Sequence, residues 1–190
     1  MSGRVFTYLP LVFALGVTTV GCNVQFKNTP TNDFVVEDLE ITGDYKIEQQ
    51  GPEAFVKGTV SIQRREDMKF PYLIKYDLDG LPKDEMQCQT YRFGETNIAF
   101  VKYLKKGPAR YFFAFGLEVS GNQVVAKPID RAFFTDNPKK LAVVPGSGDD
   151  VVNFSESARL DLFFGKHQDS KSLFDHESPL ILTRTKEEKD

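Results

Sequence analysis

Tryptophan is missing from this chain, and histidine, cysteine and methionine number two, two and three among its 190 residues. Two histidines leave little material for acid–base or metal chemistry at neutral pH. Two cysteines cannot build a disulfide framework. A dominant charge sign is lacking as well: 24 basic side chains stand against 27 acidic ones, a net charge of −3. Nucleic-acid binding asks for a basic face. The small basic clusters here are Arg64-Arg65, Lys102 with Lys105-Lys106 and Arg110, and Lys139-Lys140; acidic residues surround them and they read as solvated surface. Long apolar runs are absent except for Val5 to Gly21. That run has 17 residues and contains Pro10, short of the roughly 20 that a spanning helix wants. No internal repeat of fixed period is present.

The one apolar run is preceded by Arg4 and ends in small residues, the layout of a secretory signal. Its close, Thr19-Val20-Gly21-Cys22, resembles the lipobox of bacterial lipoproteins, in which a small residue precedes a cysteine that is acylated and becomes the new N-terminus. The family pattern prefers Leu where Thr19 stands. The resemblance implies that residues 1–21 are a signal peptide and that Cys22 is the lipid attachment site. It implies an exported protein held to the cell envelope, its domain facing periplasm or exterior. Asn23, rather than Asp, after Cys22 implies the outer membrane over the inner one. Several acyl chains hold a protein durably where one is marginal, so the globular part needs no membrane-binding face of its own. The expected partners are the membrane, through this lipid, and other envelope proteins. If Cys22 is acylated, Cys88 has no partner in the chain, and burial is the expected state for it.

Residues 22–32 are polar and aperiodic and read as the lipidated N-terminus and a tether. Residues 33–185 read as one β-rich domain, and 186–190 as a solvated tail. The clearest alternation places Met68, Phe70, Tyr72, Ile74, Tyr76 and Leu78 on one face, with Leu73 as an exception on the other. Ala158, Leu160, Leu162 and Phe164 alternate against Ser157, Arg159 and Asp161 and read better as a strand than as a helix. Further strands are predicted at 34–41, 44–49, 54–62, 87–93, 97–104, 110–119, 123–129, 131–135, 141–144 and 179–185. Ser120-Gly121-Asn122 predicts a hairpin, and Asp79-Gly80, Gly107-Pro108 and Pro145-Gly146-Ser147-Gly148 predict turns. Strands at this spacing suggest a sandwich or a barrel; the fold class expected is all-β, an antiparallel β-sandwich with at most one or two short helices. Seventeen Phe and seven Tyr predict an aromatic core.

Ala54-Phe55-Val56-Lys57-Gly58-Thr59-Val60, followed by Leu73 to Gly80, is similar to the FxLYD-type, immunoglobulin-like domains of bacterial surface lipoproteins. The match rests on Gly58, Val60, Tyr76, Asp77 and Gly80. Ile62 stands where that family has Asn, and Leu73 and Lys75 replace the Phe and Leu of its name. The resemblance implies an immunoglobulin-like sandwich and a non-catalytic role.

Candidate site residues are few. His167 and His176 could hold a metal with Asp169 or Glu177, but their spacing fits no helical or tight-turn ligand pair. Cys88 or Ser155 could serve as a nucleophile beside either histidine, yet no Gly-x-Ser-x-Gly elbow surrounds them. Asp77-Leu78-Asp79-Gly80, followed by Asp84-Glu85, fails as a calcium loop, because Pro82 and Cys88 occupy the positions that require Gly and a carboxylate. The paired aromatics Phe112-Phe113, Phe133-Phe134 and Phe163-Phe164 read as core, or else as a binding patch. The expectation is a binding or assembly module with no catalytic residue, cofactor or metal. The alternative is a small metal- or thiol-dependent hydrolase using His167, His176 or Cys88.

Overall fold

A computed structural model describes residues 24–37, 39–50, 55–80, 82–104, 111–135, 143–145, 150–152, 156–169 and 171–185. The chain order is β1 (Gln25–Phe26), a 3-10 turn (Asn32–Phe34), β2 (Gly43–Gln50), β3 (Phe55–Arg64), β4 (Tyr72–Leu78) and β5 (Asp84–Phe93). There follow β6 (Thr96–Tyr103), β7 (Phe112–Ser120), β8 (Gln123–Pro128), α1 (Arg131–Thr135), β9 (Val143–Pro145), β10 (Asp150–Val152), α2 (Ser157–His167) and β11 (Leu180–Arg184).

Strands β2 to β8 form an antiparallel meander in which each pairs with the next. The last strand, β11, then enters between β8 and β2 and closes the sheet on itself. The result is an eight-stranded antiparallel barrel, not the expected sandwich. Alternation along each strand is the same in both architectures; what separates them is whether the edges find each other. Here closure leaves none of the eight strands with an unpaired edge. The hairpin that carries the FxLYD resemblance, β3 with β4, is present as two adjacent staves of the barrel. At Gly58 a β-carbon would lie 2.2 Å from the Asp77 carbonyl oxygen, so glycine is what lets these two strands meet.

The register sorts side chains in pairs across neighbouring strands. Tyr45, Val60, Tyr76 and Ile47, together with Ile62, Ile74 and Met86, fall on the inner face. The outer faces of β2 to β4 carry exposed Asp44, Lys46, Lys57, Thr59, Lys75 and Asp77. This polarity is opposite to that of a transmembrane barrel, which is apolar outside and polar within.

The outside of β5 to β7 is different, because it is covered. Phe93, Ile98, Phe100 and Ala114 point outward into a second core with Phe26 of β1, Phe133 and Phe134 of α1, and Leu160, Phe163 and Phe164 of α2. Phe164 meets Phe26, Phe93 and Phe100 at ring-centroid distances of 5.8, 5.5 and 5.7 Å. The segment between β8 and β11 is an excursion clasped at its base, where Ile129 bridges Phe174 and Asp130 N–H donates to the Leu173 carbonyl at 2.9 Å.

Four sequence expectations are corrected. Residues 157–167 form a helix: the buried side chains are Leu160, Phe163 and Phe164, at helical spacing, while Leu162 is 75% exposed. Residues 131–135, predicted as a strand, form α1, whose Ala132 N–H is capped by Asp130 Oδ1 at 2.8 Å. Strand β4 begins at Tyr72, not at Met68. The residues before it fold back so that Phe70 is buried on the outer face, within 5.7 Å of the Phe112 ring and beneath the Lys102 ammonium at 4.4 Å. Outward-facing Leu73 is buried on the same side of the sheet, which accounts for the exception in the alternation. Finally, Val24, Gln25 and Phe26, within the stretch read as tether, are buried, and Gln25–Phe26 pair with both β7 and β10.

Candidate functional site

Because the inner-facing positions are nearly all aliphatic or aromatic, the barrel encloses an apolar lumen. Its wall includes Ile47, Val60, Met86, Ala99, Phe115 and Leu182. The small side chains Ala99 and Ala126 leave space there, a cavity of about 80 Å³. That is about half the ~150 Å³ cavity which, lined by aliphatic and aromatic groups, stays dry and admits benzene. The wall presents no polar oxygen or nitrogen to this space, whereas an ordered internal water wants about three partners.

One end of the lumen is closed by the strap before β2. Residues 36–37 and 39–42 run across it, with Ile41 buried against the lumen and Leu39 packed alongside. The strap has no helical or strand ladder for its carbonyls, and barrel side chains take them instead. Thr90 Oγ1 donates to the Val36 carbonyl at 2.6 Å and Arg64 to that of Glu37 at 2.7 Å. The Tyr72 hydroxyl lies 3.3 Å from the carbonyls of both Glu37 and Leu39. Tyr45 donates to Ile41 at 2.9 Å, and Arg184 Nη2 reaches Glu40 and Thr42 at 3.3 and 3.1 Å. Arg184 also lies over the Tyr45 ring, 5.6 Å from its centroid, and donates to its hydroxyl at 3.2 Å.

The opposite end is polar. Tyr76 pairs with Asp84 across β4 and β5, and Met86, two residues on, pairs with Tyr103 of β6. Alternation therefore turns Tyr76, Asp84 and Tyr103 to the same inner face. The Tyr76 residue is 3% exposed, and its hydroxyl is buried without a hydrogen-bond partner. Burial raises its pKa, and the neighbouring Tyr103 hydroxyl and Asp84 carboxylate raise it further. The Tyr103 phenol stands beside that of Tyr76, and the two interact. Tyr103 is pushed up to about 12, by burial first and then by the Asp84 charge. Both phenols thus stay protonated and neutral at physiological pH.

The residues singled out from sequence are scattered. Cys88 is on the lumen wall, 1% exposed, and burial pushes its thiol up to about 12, so thiolate chemistry is suppressed there. His167, in the last turn of α2, packs against the rings of Phe133 and Phe163, each at 5.1 Å. His176 is exposed, in a surface hollow with Glu118, Lys127 and Asp169 whose wall does not include His167. Asp175 Oδ1 accepts the backbone N–H groups of Glu177 and Ser178, at 2.8 and 3.2 Å, forming the turn that carries His176. Among the described residues no three His, Cys, Asp or Glu side chains group as metal ligands. Cys22 and Ser155 lie outside the described residues. Comparison with family models, curated proteins and solved structures finds no match to this chain.

Tyr76 and Tyr103 were not singled out in the sequence as site residues, and Asp84 entered only with the failed calcium loop. The signal was there in part: a turn at Asp79-Gly80 folds β5 back so that Asp84 falls opposite Tyr76. Seeing that Tyr103 joins them needs the β5–β6 register, and knowing that this face is interior needs the closure of the barrel.

Proposed function

We propose that this chain is a lipid-anchored cell-envelope protein, attached through Cys22, whose barrel binds a small apolar ligand in its lumen without transforming it. The observation that carries the binding reading is the apolar cavity within the barrel, strapped at one end. Small-ligand sites are concave, mostly apolar and furnished with few polar groups, and eight-stranded barrels have interiors of a size to be filled by side chains or to hold one small ligand. The anchor reading rests on Gly21-Cys22 at the end of the one apolar run. It agrees with an outer barrel surface too charged to hold a membrane by itself. A non-catalytic role is favoured because Cys88, on the lumen wall, is held as a neutral thiol, while His167 lies on the far side of the sheet, against the rings of Phe133 and Phe163.

Titration with xenon, small enough for a cavity of about 80 Å³ and followed by amide NMR shifts, tests the binding reading. Saturable shifts confined to lumen residues such as Val60, Ala99 and Leu182 are expected, and their absence would overturn it. For the anchor, mass spectrometry of membrane fractions is expected to show an acylated N-terminal peptide beginning at Cys22, and Cys22→Ala protein is expected to become soluble. Unchanged membrane retention of that variant would remove the anchor from the proposal.

A further inference from the structure

Resting on the lumen-binding reading, we infer that residues 39–42 of the strap are the gate through which a small apolar ligand enters and leaves the lumen, with Ile41 as its plug. Fifteen of the sixteen residues lining the cavity stand on the eight barrel strands, and the sixteenth is Ile41. Each of those strands is paired with a neighbour on both sides, so an opening in the wall must part a ladder and wet the core behind it. The opposite end is filled by Tyr76, Tyr103 and Phe113, which stand on the same ladders. The rings of Tyr103 and Phe113 meet there at 6.2 Å.

The strap is held in another way. Among the described residues, three barrel side chains tie the backbone of 39–42 to the barrel: Tyr72 at the Leu39 carbonyl, Tyr45 at that of Ile41, and Arg184 at those of Glu40 and Thr42. The Ile41 N–H donates to the Leu39 carbonyl at 2.8 Å, a bond internal to the strap that can move with it. Arg184 Nε is buried without a partner, so the closed state leaves its own latch incompletely satisfied. Segments with few ladder bonds open at free energies well below that of global unfolding, and the loops that cover binding sites are drawn from them. Lifting residues 39–42 withdraws Ile41 from the cavity and leaves all eight strands paired.

The test follows xenon exchange between lumen and solvent by xenon NMR on the whole chain, beside amide hydrogen exchange. Tyr72→Phe, on β4, and Arg184→Ala, on β11, are each expected to speed xenon exchange at least about fivefold, the effect of losing one buried hydrogen bond. Each is expected to speed amide exchange at Ile41 by a similar factor. In Tyr72→Phe the amides of Ile47 and Leu182, at the shortest seam of the barrel wall, are expected to keep their rates. That variant loses only a hydroxyl, and it decides the matter should Arg184→Ala fail to fold. Faster exchange at Ile41 with unchanged xenon exchange, or xenon exchange that follows Ile47 and Leu182 instead, overturns the gate while lumen binding stands. Unchanged exchange at Ile41 in both variants overturns the latch. If xenon does not bind at all, the lumen reading falls and the gate falls with it.

Discussion

Cys88 shows how far a residue's chemistry is set by the strand face on which it falls. Met86 and Cys88 share the inner face of β5 with Thr90, and alternation turns Gln87 and Gln89 away. Placed against the lumen, the thiol is held at a pKa of about 12 against an ordinary 9.0. Native protein is therefore expected to resist thiol labelling at pH 7.5 and to react only at the rate of unfolding; prompt labelling would contradict the burial. Tyr91 and Tyr103 are likewise pushed up to about 12, from 10.0, burial being the first cause for each. In all three the folded state keeps a proton that the unfolded chain releases. Their contribution to stability is thus complete below pH 9 and is lost as pH rises from about 9 towards 12. Urea midpoints are expected to be level from pH 7 to 9 and to decline above that, with the decline in Cys88→Ala starting nearer pH 10. Burial of Cys88 was legible from residue type alone. The orphan hydroxyl of Tyr76 was not, since it depends on where three strands end up relative to one another.

At the scale of elements, α2 is the clearest case of a misleading pattern. Ala158, Leu160, Leu162 and Phe164 alternate because Leu162 happens to be apolar, though it faces water. The helical set Leu160, Phe163 and Phe164 was present in the same ten residues, and packing on the sheet chose it. Phe164→Ala is expected to cost about 3–5 kcal/mol, as for other fully buried aromatics, whereas Leu162→Ala should change stability by less than about 0.5 kcal/mol. Denaturant melts of the two variants check this; equal costs would argue for the strand. The strap is an element of another kind, ordered by side chains that arrive from β2, β3, β4, β5 and β11. Its residues 34–41 have strand-like composition, but nothing in the sequence says that their carbonyls will be met by hydroxyls and guanidiniums instead of a neighbouring strand. Arg184→Ala is expected to cost about 1–2 kcal/mol and to speed hydrogen exchange at residues 39–42. Arg184→Lys should not restore protection, because an ammonium lacks the planar fork that spans two carbonyls and a phenol.

Across the whole molecule, the meander β2 to β8 was largely readable. Alternation and glycine turns placed seven strands within a few residues of their positions, and the Ser120-Gly121-Asn122 hairpin was identified outright. Closure was not readable, because it depends on β11 returning between β8 and β2 across more than fifty intervening residues. The aromatic richness was correctly read as core, but it serves two cores: one inside the barrel and one between its outer wall and the helices. The doublet Phe163-Phe164 belongs wholly to the outer core, whereas Phe112 and Phe113 sit on opposite faces of β7.

Strand β1 bears on how such a protein would sit at a surface. Val24 is already buried and Gln25 already paired, so a lipid on Cys22, as proposed, would be separated from the fold by Asn23 alone. The barrel would then ride close against the bilayer in one restricted attitude, rather than drifting at the end of a leash. Ten Gly/Ser residues inserted after Asn23 would supply a reach of about 17 Å. Anisotropy decay of fluorescently labelled protein on vesicles is expected to show restricted rotation in the natural chain and freer rotation with the insert. Identical decays would mean that the short connection does not steer the barrel. If it does, the anchor fixes a direction as well as an address: the same face of the molecule is always offered to whatever crosses the envelope.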